Sequence, residues 1–125
     1  MSQKLTGERV KPTSKEFYYI EEWNNEDYWV QADKAKRVRI PGLEEFDLFT
    51  HRITFVTGMG GTTRVSEGTT GIRVDRYADS TREKTLEHFR QYATEPEFIA
   101  NLRELIQTAK AKGYVSPRYE EVEKA

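Results

Sequence analysis

Between Thr62 and Ala93 the chain strings together a glycine-bounded turn and a marked helix start, and no other stretch limits the possible folds as much. Arg64–Glu67 and Ile72–Asp75 are short β-prone runs. The Gly68-Thr69-Thr70-Gly71 tetrad between them sets glycines where a chain reversal needs positive φ. Ser80-Thr81-Arg82-Glu83 then has the spacing of a capping box, in which the Ser hydroxyl and the Glu carboxylate each bond the other's backbone N–H. The helix so started carries Leu86, Phe89 and Ala93 on one stripe with Tyr92 beside it, a face suited to lie on the hairpin. A ββα unit is therefore expected to anchor the fold, and it has no chemical signature of its own.

The remaining elements fall in order around it. Phe17–Trp23 and Tyr28–Ala32 are aromatic and β-branched runs flanking Asn24-Asn25-Glu26-Asp27, which predicts another hairpin. Lys36–Ile40 alternates polar and apolar residues until Pro41-Gly42 stops it. Phe46–Thr57 is the longest β-like run; its alternation predicts Phe49, His51, Ile53 and Phe55 on the core face, with Leu48, Thr50, Arg52 and Thr54 opposite. Thr94-Glu95-Pro96-Glu97 repeats the capping-box spacing and opens a second helix with Phe98, Ile99, Leu102, Leu105, Ile106 and Ala109 as its stripe. Lys110, Lys112 and Gly113 suit that helix's end. Strands first and helices last predict an α+β single domain: an antiparallel sheet of about five strands with two C-terminal helices packed on one face. The domain is expected over 15–113, after a flexible N-terminal tail (1–14) and before a C-terminal tail or short helix (114–125).

Composition narrows the class. The 125 residues suit one core, and the 12% aromatic content supplies what a disordered chain with 33% charged residues and a mean hydropathy of -0.83 would lack. A formal charge of -1 gives no global basic excess for non-specific nucleic-acid binding. With no Cys, disulfides, thiol catalysis and thiolate metal sites are excluded. Residues 1–8 lack the apolar core of a secretory leader and no apolar run spans a bilayer, so a soluble cytoplasmic protein with no membrane partner is expected.

Catalytic and cofactor motifs are missing. Gly58–Gly61 leads into a β-prone run instead of a helix and has no Lys-Ser/Thr partner, so it reads as a strand connection and not as a phosphate loop. His51 reads as a core-edge histidine bonded to a neighbour, and His88 as a residue flanking a helix stripe. The acidic groups Glu44-Glu45-Asp47 and Glu120-Glu121-Glu123 lack the alternating ligands and Gly of a calcium loop. Ser66 lacks a nucleophile elbow, and Ser80 is assigned to capping. Neither an enzyme nor a metal or other cofactor is expected.

Two surfaces remain as binding candidates. Six aromatics lie between Phe17 and Trp29, and because strand side chains alternate faces they are not expected to enter one core together. With the carboxylates around them, Tyr18, Glu22, Trp23, Glu26, Asp27, Tyr28 and Trp29 form an aromatic, acidic hairpin surface. Such a surface fits a protein partner of basic character, which makes the chain a non-enzymatic regulator or inhibitor that occludes its partner. The competing account is that the tail, a helix or a homodimer mate covers those rings. The alternative function is nucleic-acid binding by an Arg-rich sheet face made of Arg37, Arg39, Arg52, Arg64 and Arg73, with interspersed carboxylates arguing for plain solvation instead.

Overall fold

β-Branched and aromatic residues in the middle of the chain build a three-stranded antiparallel sheet of β4 (Asp33–Val38), β5 (Leu48–Thr54) and β6 (Gly61–Glu67), with β5 at its centre. The structure is a computed structural model that describes residues 11–12, 16–54, 61–117 and 119–120. Before this sheet come β1 (Lys11–Pro12) and the hairpin of β2 (Tyr18–Trp23) and β3 (Glu26–Gln31); after it come α1 (Arg82–Arg90), α2 (Pro96–Ala111) and β7 (Tyr119–Glu120). The fold is α+β in a single domain with the helices after the strands. Its strands divide between the hairpin and the central sheet, with β1 and β7 as a separate two-residue antiparallel pair, so the central sheet is smaller than the five strands expected.

Register shows how the layers assemble. Residues directly opposite across an antiparallel ladder share a face. Leu48, Thr50 and Val65 therefore look one way, while Phe49, His51 and Ser66 look the other. The first face carries the helices. Leu48, Val65 and Val38 pack into one apolar cluster with Leu86, Phe89, Leu102 and Ile106, and the Thr85 hydroxyl donates to the Thr63 carbonyl at 2.9 Å. The second face carries the β2–β3 hairpin, with Phe17 stacked on Phe49 at 4.5 Å and Tyr19 on His51 at 4.4 Å. The expectation that only one face of this run is core is thus corrected: Leu48 and Thr50 are as buried as Phe49 and His51, because β5 is the middle strand of the middle layer. Phe55 lies outside the described residues, as do Gly58–Gly60.

Asn24 and Asn25 both take positive φ, the backbone of a two-residue hairpin turn that Asn tolerates. Gly113 at φ 85° and the bonds from Gly113 N to Lys110 O and from Tyr114 N to Ala109 O end α2 in a Schellman motif. Three expectations are corrected. Thr81, not Ser80, caps α1, accepting from Lys84 N at 3.2 Å, while Ser80 N is bonded to Asp79. Glu95 is the N-cap of α2 and makes no side-chain cap bond, so the helix start rests on Pro96 in its first turn. Ile72–Asp75 forms no full strand; it returns beside β6 through a Ser66–Arg73 bridge and a Val74 N–Val65 O bond.

The segment after α2 is neither loose nor helical where it is described. Val115 and Ser116 are buried, and Ser116 N donates to Thr69 O at 3.0 Å, which ties this segment to the 68–71 turn. Lys11 and Pro12 pair with Glu120 and Tyr119, so these four residues join the two ends expected to be tails. Among the described residues, no helix is long and apolar enough to cross a membrane.

Candidate functional site

The hairpin surface takes its geometry from register. Glu22 pairs with Asp27 and Glu21 with Tyr28, so carboxylates from both strands meet near the Asn24-Asn25 turn. From Glu16 to Asp33 the chain has six carboxylates and no Lys, Arg or His. Glu21, Glu22 and Glu26 are exposed; half-buried Tyr28 shares a face with Glu21 and Glu26, and half-buried Tyr18 lies on the opposite face with Glu22. The Tyr28 hydroxyl donates to Glu26 at 2.5 Å, a bond that raises its pKa; Tyr18 is raised chiefly by burial and then by Glu16. Both phenols stay protonated and present a donor already turned toward a carboxylate.

The remaining hairpin candidates divide. Trp29 is only 1% exposed and its ring lies against Gly71, so it is core and leaves the set of contact residues. The hairpin hides more rings than one core would because it is covered on more than one side: Phe17 and Tyr19 meet the sheet while Trp29 meets the 68–71 turn. Asp27 is half-buried and accepts the Tyr114 hydroxyl at 2.5 Å, which fastens it to the segment after α2. The Trp23 backbone pairs with Glu26, and its side chain lies outside what the structure describes.

The five arginines do not gather on one platform. His51 is opposite Arg64 and Arg52 opposite Thr63, so Arg64 and Arg52 point to different faces of the sheet. Arg37 pairs with Asp47 at 3.3 Å and lies over the Phe17 ring, and Arg73 is held at 2.7 Å by Asp75. Arg39 is exposed beyond the end of β4. Arg52 donates to the Ser80 carbonyl on the helix side.

Two buried groups define the chemistry of the interior. His51, 1% exposed, shares a 2.8 Å hydrogen bond with the Ser66 hydroxyl; burial first and the nearby Arg64 second lower its pKa to about 4. It is neutral at pH 7 and enclosed by Tyr19 and Phe49, as a core-edge histidine should be. Glu67 was not singled out from sequence. It is 1% exposed, and its carboxylate accepts from Thr69 N at 2.8 Å, from Thr70 N at 2.9 Å and from both Thr hydroxyls. The signal was present in Glu67-Gly68-Thr69-Thr70, where an acidic side chain precedes a turn rich in local donors.

A cavity of about 530 Å³ lies at the other end of the central sheet, lined by Lys34, Lys36, Thr50, His51, Arg52, Thr63 and Arg82. Among the described residues no group of three or more His, Asp or Glu is placed to hold a metal ion. Compared with family models, curated proteins and solved structures, the chain matches none.

Proposed function

We propose that this protein is a non-enzymatic interaction module, a regulator or inhibitor that occludes a basic surface of a partner protein with the tip and outer side of its β2–β3 hairpin. One observation carries the reading: Glu21, Glu22 and Glu26 are exposed on the two faces of the hairpin tip, with half-buried Tyr28 on the face of Glu21 and Glu26, in a segment without a single cation. Carboxylates of one sign steer a basic partner into encounter, and tyrosines give flat contact area at small entropic cost. The contact residues are Glu22 on one face of the tip and Glu26 and Tyr28 on the other, with Tyr18 farther along the face of Glu22. Trp29 serves by fixing the hairpin onto the 68–71 turn.

The test is affinity capture from native lysate with and without nuclease, comparing the wild-type chain with the double charge reversal Glu22→Lys/Glu26→Lys. Both residues are exposed, so the variant should keep its far-UV circular dichroism and unfolding midpoint. Captured proteins should survive nuclease and vanish with the double variant, and Tyr28→Ala should weaken the isolated complex by more than about 1 kcal/mol. Capture that persists with reversed charges refutes the hairpin as the docking surface. Capture lost only on nuclease treatment favours the nucleic-acid alternative.

A further inference from the structure

The cavity between β4, β5, β6 and α1 is lined by four cations, Lys34, Lys36, Arg52 and Arg82, and by no carboxylate. The geometry points to a binding site there for a small phosphorylated ligand of mononucleotide size, on ground separate from the hairpin.

Each guanidinium is oriented by a neutral acceptor. Arg82 Nε donates to the Thr50 hydroxyl at 2.9 Å, and Arg52 Nη1 to the Ser80 carbonyl. These bonds fix direction without compensating charge, and among the described residues neither arginine nor either lysine enters an ion pair. The carboxylates nearest to these cations along the chain and across the ladder are not among the lining residues. Asp33 faces Arg52 across the ladder, Glu83 is in the first turn of α1, and Asp79 spends one oxygen on Ser80 N at 2.6 Å while the other lies 3.6 Å from His88.

Two further features are costly for a chain that binds nothing here. Lys34 holds φ at 52°, a left-handed backbone that a long side chain rarely adopts, at a register break between Asp33 and Lys36 that turns the β4 edge at the cavity wall. Arg82 occupies the first position of α1, where the positive end of the helix dipole disfavours a cation and an anion would offset both. A phosphate matches this set: Arg supplies paired donors to its oxygens, and Lys supplies point charge. The volume lies in the range of small-ligand pockets. Arg37 and Arg73, which a polynucleotide track would need, are paired with Asp47 and Asp75.

The test titrates the full chain, uniformly 15N-labelled and at low salt, with ATP, AMP, inorganic phosphate, citrate and a single-stranded oligonucleotide. ATP should shift the amides of Lys34, Lys36, Arg52, Thr63 and Arg82 saturably, with AMP and then phosphate binding more weakly. Lys34→Gly removes one charge while relieving the left-handed backbone, and Arg82→Gln keeps a donor for Thr50. Both should remain folded, and each should weaken ATP binding by roughly tenfold. Unmoved amides in this set, or unchanged affinity in both variants, would overturn the assignment. So would citrate binding as tightly as ATP, which would make the site a general polyanion trap. Length-dependent oligonucleotide binding with no response to ATP would hand the cavity to nucleic acid.

Discussion

Replacing Gly71 by alanine should destabilise the protein by about 1–4.5 kcal/mol, and the size of that loss tests the layered arrangement directly. Gly71 takes φ 71°, and a Cβ built there would collide with Trp29 Cζ3 and come within 3.0 Å of Cη2. Neither side can yield easily. The turn is pinned by Gly71 N donating to Glu67 O at 2.7 Å and by Gly71 O accepting from Ile20 N at 2.9 Å, and the Trp29 ring is buried. A left-handed non-glycine residue costs roughly 1–2 kcal/mol and overpacking against a rigid ring roughly 1–3; a stiffer unfolded chain returns roughly 0.5–1.

Gly42→Ala separates these terms. Gly42 also has positive φ, 94°, but the nearest atom to its would-be Cβ is Thr94 Cγ2 at 3.8 Å, so it bears the backbone term alone, about 0–1.5 kcal/mol after the unfolded-state return. Urea unfolding followed by tryptophan fluorescence gives both values, with an unchanged m-value required for a pure stability effect. The difference, about 1–3 kcal/mol, is the packing of Trp29 on the turn. If Gly71→Ala costs no more than Gly42→Ala, Trp29 is not wedged against this turn, and the hairpin does not cover the second face of the sheet as described.

Three more outcomes are expected. Because the folded-state pKa of His51 is about 4, below its unfolded value near 6.5, the unfolded chain binds the extra proton and stability falls as pH drops; the loss from pH 7.5 to 5 is about 2 kcal/mol, and His51→Gln should give a shallower slope in urea titrations across that window. Glu67→Gln replaces a carboxylate accepting from four donors with an amide that presents two hydrogens to them, so it should cost about 2–4 kcal/mol by thermal or urea melting, and a loss below 0.5 would refute the turn network. Leu105→Glu should change stability by no more than about 0.5 kcal/mol, because Leu105 is 54% exposed although it belongs to the apolar period of α2.

Period and punctuation carried most of the fold. The α2 stripe is buried at Phe98, Leu102, Ile106 and Ala109 because three- and four-residue spacing fixes a face whatever it meets. Its one error, Leu105, lies at the stripe margin, where neighbouring layers decide burial and periodicity does not. Gly113 and Asn24-Asn25 were legible for the same local reason, since positive φ is a property of one residue and its turn. The capping boxes failed through competition among polar groups: Ser80 is already engaged by Asp79, so Thr81 takes the cap one residue later. The strand count failed because pairing is non-local, and nothing in Phe17–Trp29 says that this hairpin lies across a sheet instead of extending it.

The binding surfaces divide along the same line. Acidity between Glu16 and Asp33 is a property of the segment itself, so its exposed carboxylates followed from sequence, whereas the burial of Trp29 depends on a glycine 42 positions later in the chain. The cationic cavity is the opposite case. Lys34 and Lys36 lie two residues apart and Arg52 is one strand residue among others, but Arg82 sits in a helix start whose sequence signals only a cap. Only the antiparallel return of β6 and the Thr63–Asp79 bridge bring that helix start beside the β4 bulge. Charges that look like dispersed solvation along the chain become one concentrated field once three elements converge. A sheet with both faces covered has only its edges and ends left for such a site, and this cavity lies at one of them.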